Sequence, residues 1–212
     1  TESSKVDAIS TIIHEVGHTY FPMIINSDER QWAWFDEGLN SFLQFLAESE
    51  WDPNYPHKFG PTDVITSYMA QPKNSLEPIM TNSENIIQYF ANAYMKPSCA
   101  LNILRETIMG REKFDYAFMT YSQRWAFKHP TPADFFRTME DASGVDLDWF
   151  WRGWFYSIDA CDISIDTVKF AKADVNAVPA RPRDTFEMRS LPKPDVNDFE
   201  DLSKIRNRQD NS

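Results

Sequence analysis

Residues 14–18 read HEVGH. Two histidines four apart on a helix project from one face and can share a metal ion. The glutamate between them lies next to that face, where it can act as a base on a metal-activated water. Eighteen residues separate His18 from Glu37, which sits in the string WFDEGLN. Two imidazoles and one carboxylate are a donor set that leaves a coordination position open for water or substrate. His14, His18 and Glu37 are therefore the candidate ligands of one zinc ion, and Glu15 is the candidate general base. The plain alternatives are two polar residues on a solvated helix face and a surface glutamate.

These residues need two helices. Val6, Ile9, Ile13, Val16 and Tyr20 recur at three- and four-residue steps, so a helix is expected from about residue 6 to 20, stopped by Pro22. The phase puts the apolar stripe on one side and His14 and His18 on the other, with Asp7 and Thr11. A second helix is expected from about 34 to 50, with Phe35, Leu39, Phe42, Leu43 and Leu46 as its core stripe. Glu37 falls away from that stripe, beside Asn40 and Gln44. Asp36 precedes it and could orient a histidine through a hydrogen bond.

The rest of the chain reads as a helical shell. Residues 51–63 are a loop, a short helix covers 64–70, and a helix covers about 84–93. Pro97 opens the next helix, which closes at Gly110. Helices follow over 113–127 and from Pro132, the latter with Thr131 as cap, Asp134 three residues on, and Gly144 as its end. Asp146 caps the aromatic helix LDWFWRGWFY. Alternation around Ile163 and Ile165, shifting parity at Val168 and Phe170, reads as a strand with a bulge. The expected organisation is mainly α over 1–157, a first strand of a β element over 158–171, and an extended, weakly ordered tail over 172–212.

Composition narrows the partners. The chain has 212 residues, 42% hydrophobic and 15% aromatic, enough for one sizeable core. A formal net charge of -11 argues against nucleic acid, which selects basic surfaces. No apolar run is long enough to span a bilayer. Cys99 and Cys161 are the two cysteines. They have no metal-ligand spacing, and two free packed thiols are expected, a single disulfide being the alternative. His57 and His129 stand alone in Pro-rich loops and read as surface residues. Tyr116, Tyr121, Trp125 and Phe127 read as core.

HEVGH, the eighteen-residue gap and WFDEG resemble the gluzincins, specifically the aminopeptidase N family, whose members include leukotriene hydrolase. AYMK at 93–96 is similar to that family's Y-x-K segment. The resemblance implies that Tyr94 faces the metal across the cleft and stabilises the tetrahedral intermediate. Tyr89 is the competing tyrosine. LNILRETIMGREKFDYAF and TPADFFRTMEDASGVDLDWFWRGWFY are similar to the family's helical half. Over about residues 5–170 the resemblance implies the helical half of a thermolysin-like catalytic domain and zinc-dependent peptide hydrolysis of aminopeptidase type. It leaves a periplasmic or secreted parent open.

Three departures qualify it. Pro97 stands where many members have Gly, TYFPM follows the zinc helix in place of a Trp-Phe-Gly-Asn type continuation, and the family's upstream G-x-M-E-N motif is absent. The nearest string, TME at 138–140, is downstream. The chain is therefore expected to be an excised catalytic half that acts on peptides within a larger parent. By itself it is expected to pack against the rest of that parent or self-associate. A non-catalytic zinc-stabilised helical module and a thermolysin-like endopeptidase are the rival readings.

Overall fold

The computed structural model describes residues 2–160 together with 165, 167 and 168. The helices of the described residues all lie within the unit Thr1–Ile163. That unit is mainly α, as expected. Of the strand expected over 158–171, residues 158–160, 165, 167 and 168 are described and none of them is in a strand; the rest, with the tail over 172–212, lies outside the described residues.

Helix α1 spans Glu2–Gly17 and α2 spans Ala33–Trp51. The expected phase of α1 needs correcting. Of the expected stripe, Val6, Ile9 and Ile13 are half-buried and Val16 and Tyr20 are exposed, whereas the buried residues are Ser10 and His14. Apolar periodicity reveals a stripe but not the surface opposite it. Here the partner is the polar side of α2, where Asn40, Gln44 and Glu48 are buried. The two helices are joined by hydrogen bonds. Ser10 Oγ donates to Glu48 at 2.8 Å, and the Asn40 amide donates to the His14 carbonyl at 2.8 Å. Each bond satisfies a polar group whose burial would otherwise be costly.

A Cβ at Gly17 would run into the Asn40 side-chain amide, which would have to give up its hydrogen bond to the His14 carbonyl to make room. The helix proper ends at Gly17, short of the expected Tyr20, and tight turns carry the chain on through Ile24.

The opposite face of α2 builds the core. Trp34, Phe35, Leu39 and Phe42 are buried. They meet α5 (Arg111–Trp125), α6 (Pro132–Ser143) and α7 (Asp148–Phe155) through aromatic contacts. Trp34 stacks on Phe136 at 6.0 Å, meets Phe155 edge-on at 4.8 Å, and Phe42 meets Phe114 at 5.4 Å. Such pairs add about 0.5–1.5 kcal/mol each beyond area burial. One helix thus anchors in the core and holds a polar row toward α1. Of the four aromatics expected as core in one helix, Tyr121 is fully buried and Trp125 packs partly against the core, but Tyr116 and Phe127, the latter past the end of α5, are exposed. Cys99 is free and buried, and burial pushes its thiol up to about 12; Cys161 lies outside the described residues.

Boundaries differ in four places. The short helix at 64–70 is a 3-10 turn, Thr62–Ile65, followed by α3 (Thr66–Met69). The first part of the helix expected at 84–93 is replaced by a 3-10 turn at Ser83–Asn85 and a bend, and helix begins only at residue 89. Glu77 causes this by accepting from the backbone N–H groups of Ile87 at 2.8 Å and Gln88 at 3.2 Å, outside any helix ladder. Pro97 stands in the first turn of α4 (Lys96–Ile103), as expected, but that helix does not start afresh. It lies inside a continuous rod made of a π turn (Phe90–Met95), α4 and a second π turn (Leu104–Ile108). A proline ring clashes with the carbonyl four residues back, and a wide turn relieves that clash. Finally, α7 begins at Asp148 with Leu147 in the cap position, and Asp146 accepts from the Asp148 N–H at 3.1 Å. The Thr131–Asp134 capping box and the left-handed Gly144 are as expected.

Pro97 packs against Gly38, the neighbour of Glu37. A Cβ built on Gly38 would lie 2.6 Å from Pro97 Cγ and 3.0 Å from the Ala93 carbonyl oxygen. Gly38→Ala should therefore push α2 off the rod that carries Tyr94, at a cost of about 1–3 kcal/mol for overpacking. Urea unfolding reads this directly, and an unchanged midpoint would show the contact to be slack.

Candidate active site

The two histidines come from the last turn of α1. His18 N–H bonds to the His14 carbonyl at 3.1 Å, so the helical ladder continues one residue beyond Gly17. The imidazoles meet edge-on with centroids 4.6 Å apart. Both Nε2 atoms aim at one oxygen of Glu37, at 3.0 Å from His14 and 3.2 Å from His18. Glu37 reaches them from the first turns of α2. Ligand atoms of His14, His18 and Glu37 all lie within 4.8 Å of one another.

The hydrogen bonds behind the rings fix which nitrogen is free. His18 Nδ1 lies 2.9 Å from the Phe21 carbonyl oxygen, which can only accept. His14 Nδ1 lies 2.9 Å from Gln44 Oε1, likewise an acceptor. In the neutral rings both Nδ1 atoms therefore carry the proton, and both Nε2 lone pairs point inward. Three electron-rich atoms at such separations repel unless protons or a cation lie among them. Ligand atoms bound tetrahedrally at zinc distances sit about 3.3 Å apart, so the donor set and its spacing fit that metal.

Charge and burial oppose one another here. Burial lowers the His14 imidazole, but hydrogen bonds to Glu37 and Gln44 and the charges of Glu37 and Glu15 raise it overall. Burial raises Glu37, and contacts with His14, Tyr94 and His18 outweigh this and hold it below the usual carboxylate range. Asp36 is buried with Oδ1 3.3 Å from His18 Nδ1, but that proton is better aligned with the Phe21 carbonyl, and Asp36 Oδ1 has no hydrogen-bond partner. Burial first, then Glu29 and Glu37, push Asp36 up to about 8.

A cavity of about 360 Å³ opens onto these groups. Asp7, Ser10, Glu15, Lys58, Phe59 and Tyr94 line it along with the three ligand residues. Glu15 is exposed on its wall. The first π turn brings in Tyr94, whose ring lies 5.7 Å from that of His14. Burial, and then the facing Glu37 carboxylate, raise the Tyr94 hydroxyl well above its usual range, so it is a donor. Tyr89 is half exposed and lines a separate hollow with Tyr68 and Gln88. Of the two tyrosines, the one that faces the candidate ligands is Tyr94. Lys96 of the same segment is buried, donates to the Ser157 carbonyl at 3.4 Å and is lowered to about 8 by burial.

The Peptidase family M1 domain matches residues 1–154. The chain belongs to this family. Its similarity to individual M1 peptidases is low but extended. It is 25% identical to glutamyl aminopeptidase of Sus scrofa, over 98% of this chain and 23% of that protein. It is 26% identical to endoplasmic reticulum aminopeptidase 1 of Homo sapiens, over 68% and 16%. To aminopeptidase M1-B of Oryza sativa subsp. japonica it is 20% identical, over 79% and 21%. The chain thus spans roughly a fifth of the length of these M1 relatives.

Sequence reasoning missed part of this candidate site. His57 is not a surface residue: its side chain is 13% exposed, and its Nδ1 lies 3.0 Å from the buried carboxylate of Glu48. Glu48 continues the polar row of α2 past Asn40 and Gln44, eleven residues from Glu37, a helical spacing that could have marked it. Nothing in the loop around His57 announced its contact. Phe59 and Phe90, stacked around Tyr94 at 6.0 and 5.2 Å, were also not foreseen. His129 is exposed as expected.

Proposed function

We propose that this chain carries the zinc-binding catalytic centre of an M1 metallopeptidase that removes amino-terminal residues from peptides. The observation behind this reading is the convergence of two imidazole Nε2 atoms on one Glu37 oxygen, at the wall of a cavity that Glu15 and Tyr94 also line. His14, His18 and Glu37 would hold one zinc ion. Bound there, zinc supplies a Lewis acid that polarises a carbonyl and lowers the pKa of water.

The chain's own residues do the rest. Glu15 takes a proton from the attacking water and returns it to the leaving amine. Tyr94 donates to the oxygen that becomes negative as the carbonyl carbon turns tetrahedral. His18 and His14 keep their Nδ1 protons on Phe21 and Gln44, so both rings stay neutral at Nε2 and oriented. A purely structural zinc is the weaker reading. Structural sites usually close with a fourth protein ligand, and among the described residues no fourth His, Cys, Asp or Glu joins the three. The names of the relatives favour exopeptidase action over thermolysin-like cleavage. Comparing a free-amine peptide with the same peptide amino-blocked tests that choice, and equal cleavage of both would reject it.

Tyr94 gives a kinetic test. Tyr94→Phe removes one donor to the developing oxyanion, which typically costs about 2.7–4 kcal/mol, or about 10²–10³ in kcat. KM should change little, because the interaction strengthens only in the transition state. A variant with only a raised KM would assign Tyr94 to substrate binding.

A further inference from the structure

Besides Asp36, one more buried carboxylate is linked to the ligand cluster, and the mechanism above does not use it. Glu48 is 1% exposed and sits on α2 beyond Gln44. Its Oε1 accepts from Gln44 Nε2 at 2.7 Å and from Ser10 Oγ at 2.8 Å, and its Oε2 lies 3.0 Å from His57 Nδ1. Each link in this line has one permitted direction. An ionised carboxylate can only accept, so it takes the NH₂ end of the Gln44 amide. That turns Gln44 Oε1 toward His14 Nδ1, at 2.9 Å. A carbonyl oxygen can only accept, so His14 must carry its proton on Nδ1 and offer a lone pair at Nε2.

We infer that Glu48, held by His57, is a positioning residue that sets the tautomer of the ligand His14 through the orientation of the Gln44 amide. Glutamine is symmetric in shape and ambiguous in polarity, and Glu48 removes the ambiguity. Were the amide reversed, its NH₂ would face Nδ1, the ring proton would move to Nε2, and that nitrogen could not bind a metal. The inference rests on the metal reading of the site.

The test exchanges the two side chains. In Glu48→Gln, His57 Nδ1–H draws the new amide's oxygen to its side, and the new NH₂ then points at Gln44. This reverses the line, so zinc affinity, measured by chelator competition on the whole chain, should fall by about 10–100-fold. The swap Gln44→Glu with Glu48→Gln restores a pure acceptor beside His14 and should recover affinity to within a few fold. Imidazole ¹⁵N resonances of the metal-free chain, at a pH where the ring is neutral, should place the His14 proton on Nδ1 in wild type and in the swap, and on Nε2 in Glu48→Gln.

Unchanged affinity in Glu48→Gln would overturn the inference, and so would a folded swap that stays weak. If the single variant does not fold, the swap alone decides between these outcomes. A wild-type chain that binds no zinc would reject the metal reading, while the nitrogen resonances still decide the tautomer.

Discussion

His18→Ala should strip the chain of its zinc. The purified wild-type chain is expected to carry one zinc ion, and the variant close to none after dialysis, by metal analysis. Two donors would remain, Glu37 and His14, where three are needed to hold a catalytic zinc. The loss should exceed the about 10–100-fold that follows from removing a hydrogen-bond partner of a ligand. Folding is a separate question with a separate reading. His18 lies just past the end of α1, and alanine is the best helix former, so helical circular dichroism should change little. The substitution does leave the Phe21 carbonyl without its 2.9 Å donor, which should lower the unfolding midpoint modestly. Zinc content that stays at one per chain would end the assignment of His18, and with it the reading of HEVGH as a metal motif.

The site was legible in the sequence where it depends on local spacing. HEVGH needs only four residues on one helix to bring its histidines together. Glu37 needs one more helix, and the apolar stripe of α2 fixed which way its polar row would face. Tyr94 came from resemblance, since nothing in the spacing of AYMK indicates a cleft. The phase of α1 misled because its apolar stripe is only half-buried at Val6, Ile9 and Ile13 and exposed at Val16 and Tyr20. The helix is seated instead by Ser10, His14 and a close approach at Gly17, which no hydrophobic pattern registers. The contact of His57 with Glu48 depends on how the loop at 51–63 folds back over α2, and loop paths are not encoded by periodicity. The π turn at Phe90–Met95 is similar. Pro97 announced a break in the ladder, and the rod absorbed it by widening rather than by starting anew.

Glu15→Gln should separate chemistry from metal binding. Glu15 gives no atom to the cluster of His14, His18 and Glu37, so the variant should keep its zinc. Glutamine matches glutamate in size and can still hydrogen-bond water, but it cannot take a proton at neutral pH. A positioned general base typically contributes 10²–10⁴-fold, and at about 1.36 kcal/mol per tenfold that is roughly 3–5 kcal/mol of barrier. Peptide hydrolysis by the full-length gene product should fall by about that factor, in kcat and in kcat/KM together, because the proton moves only as the carbonyl is attacked. Glu15 lies on the exposed wall of the cavity, with no buried partner to lose, so unfolding should be nearly unaffected. Two results would count against the assignment. Turnover near the wild-type rate would move the base elsewhere in the cavity. Loss of zinc alongside activity would show that the Glu15 charge helps to hold the ion, and the fall in rate could then no longer be read as the loss of a base.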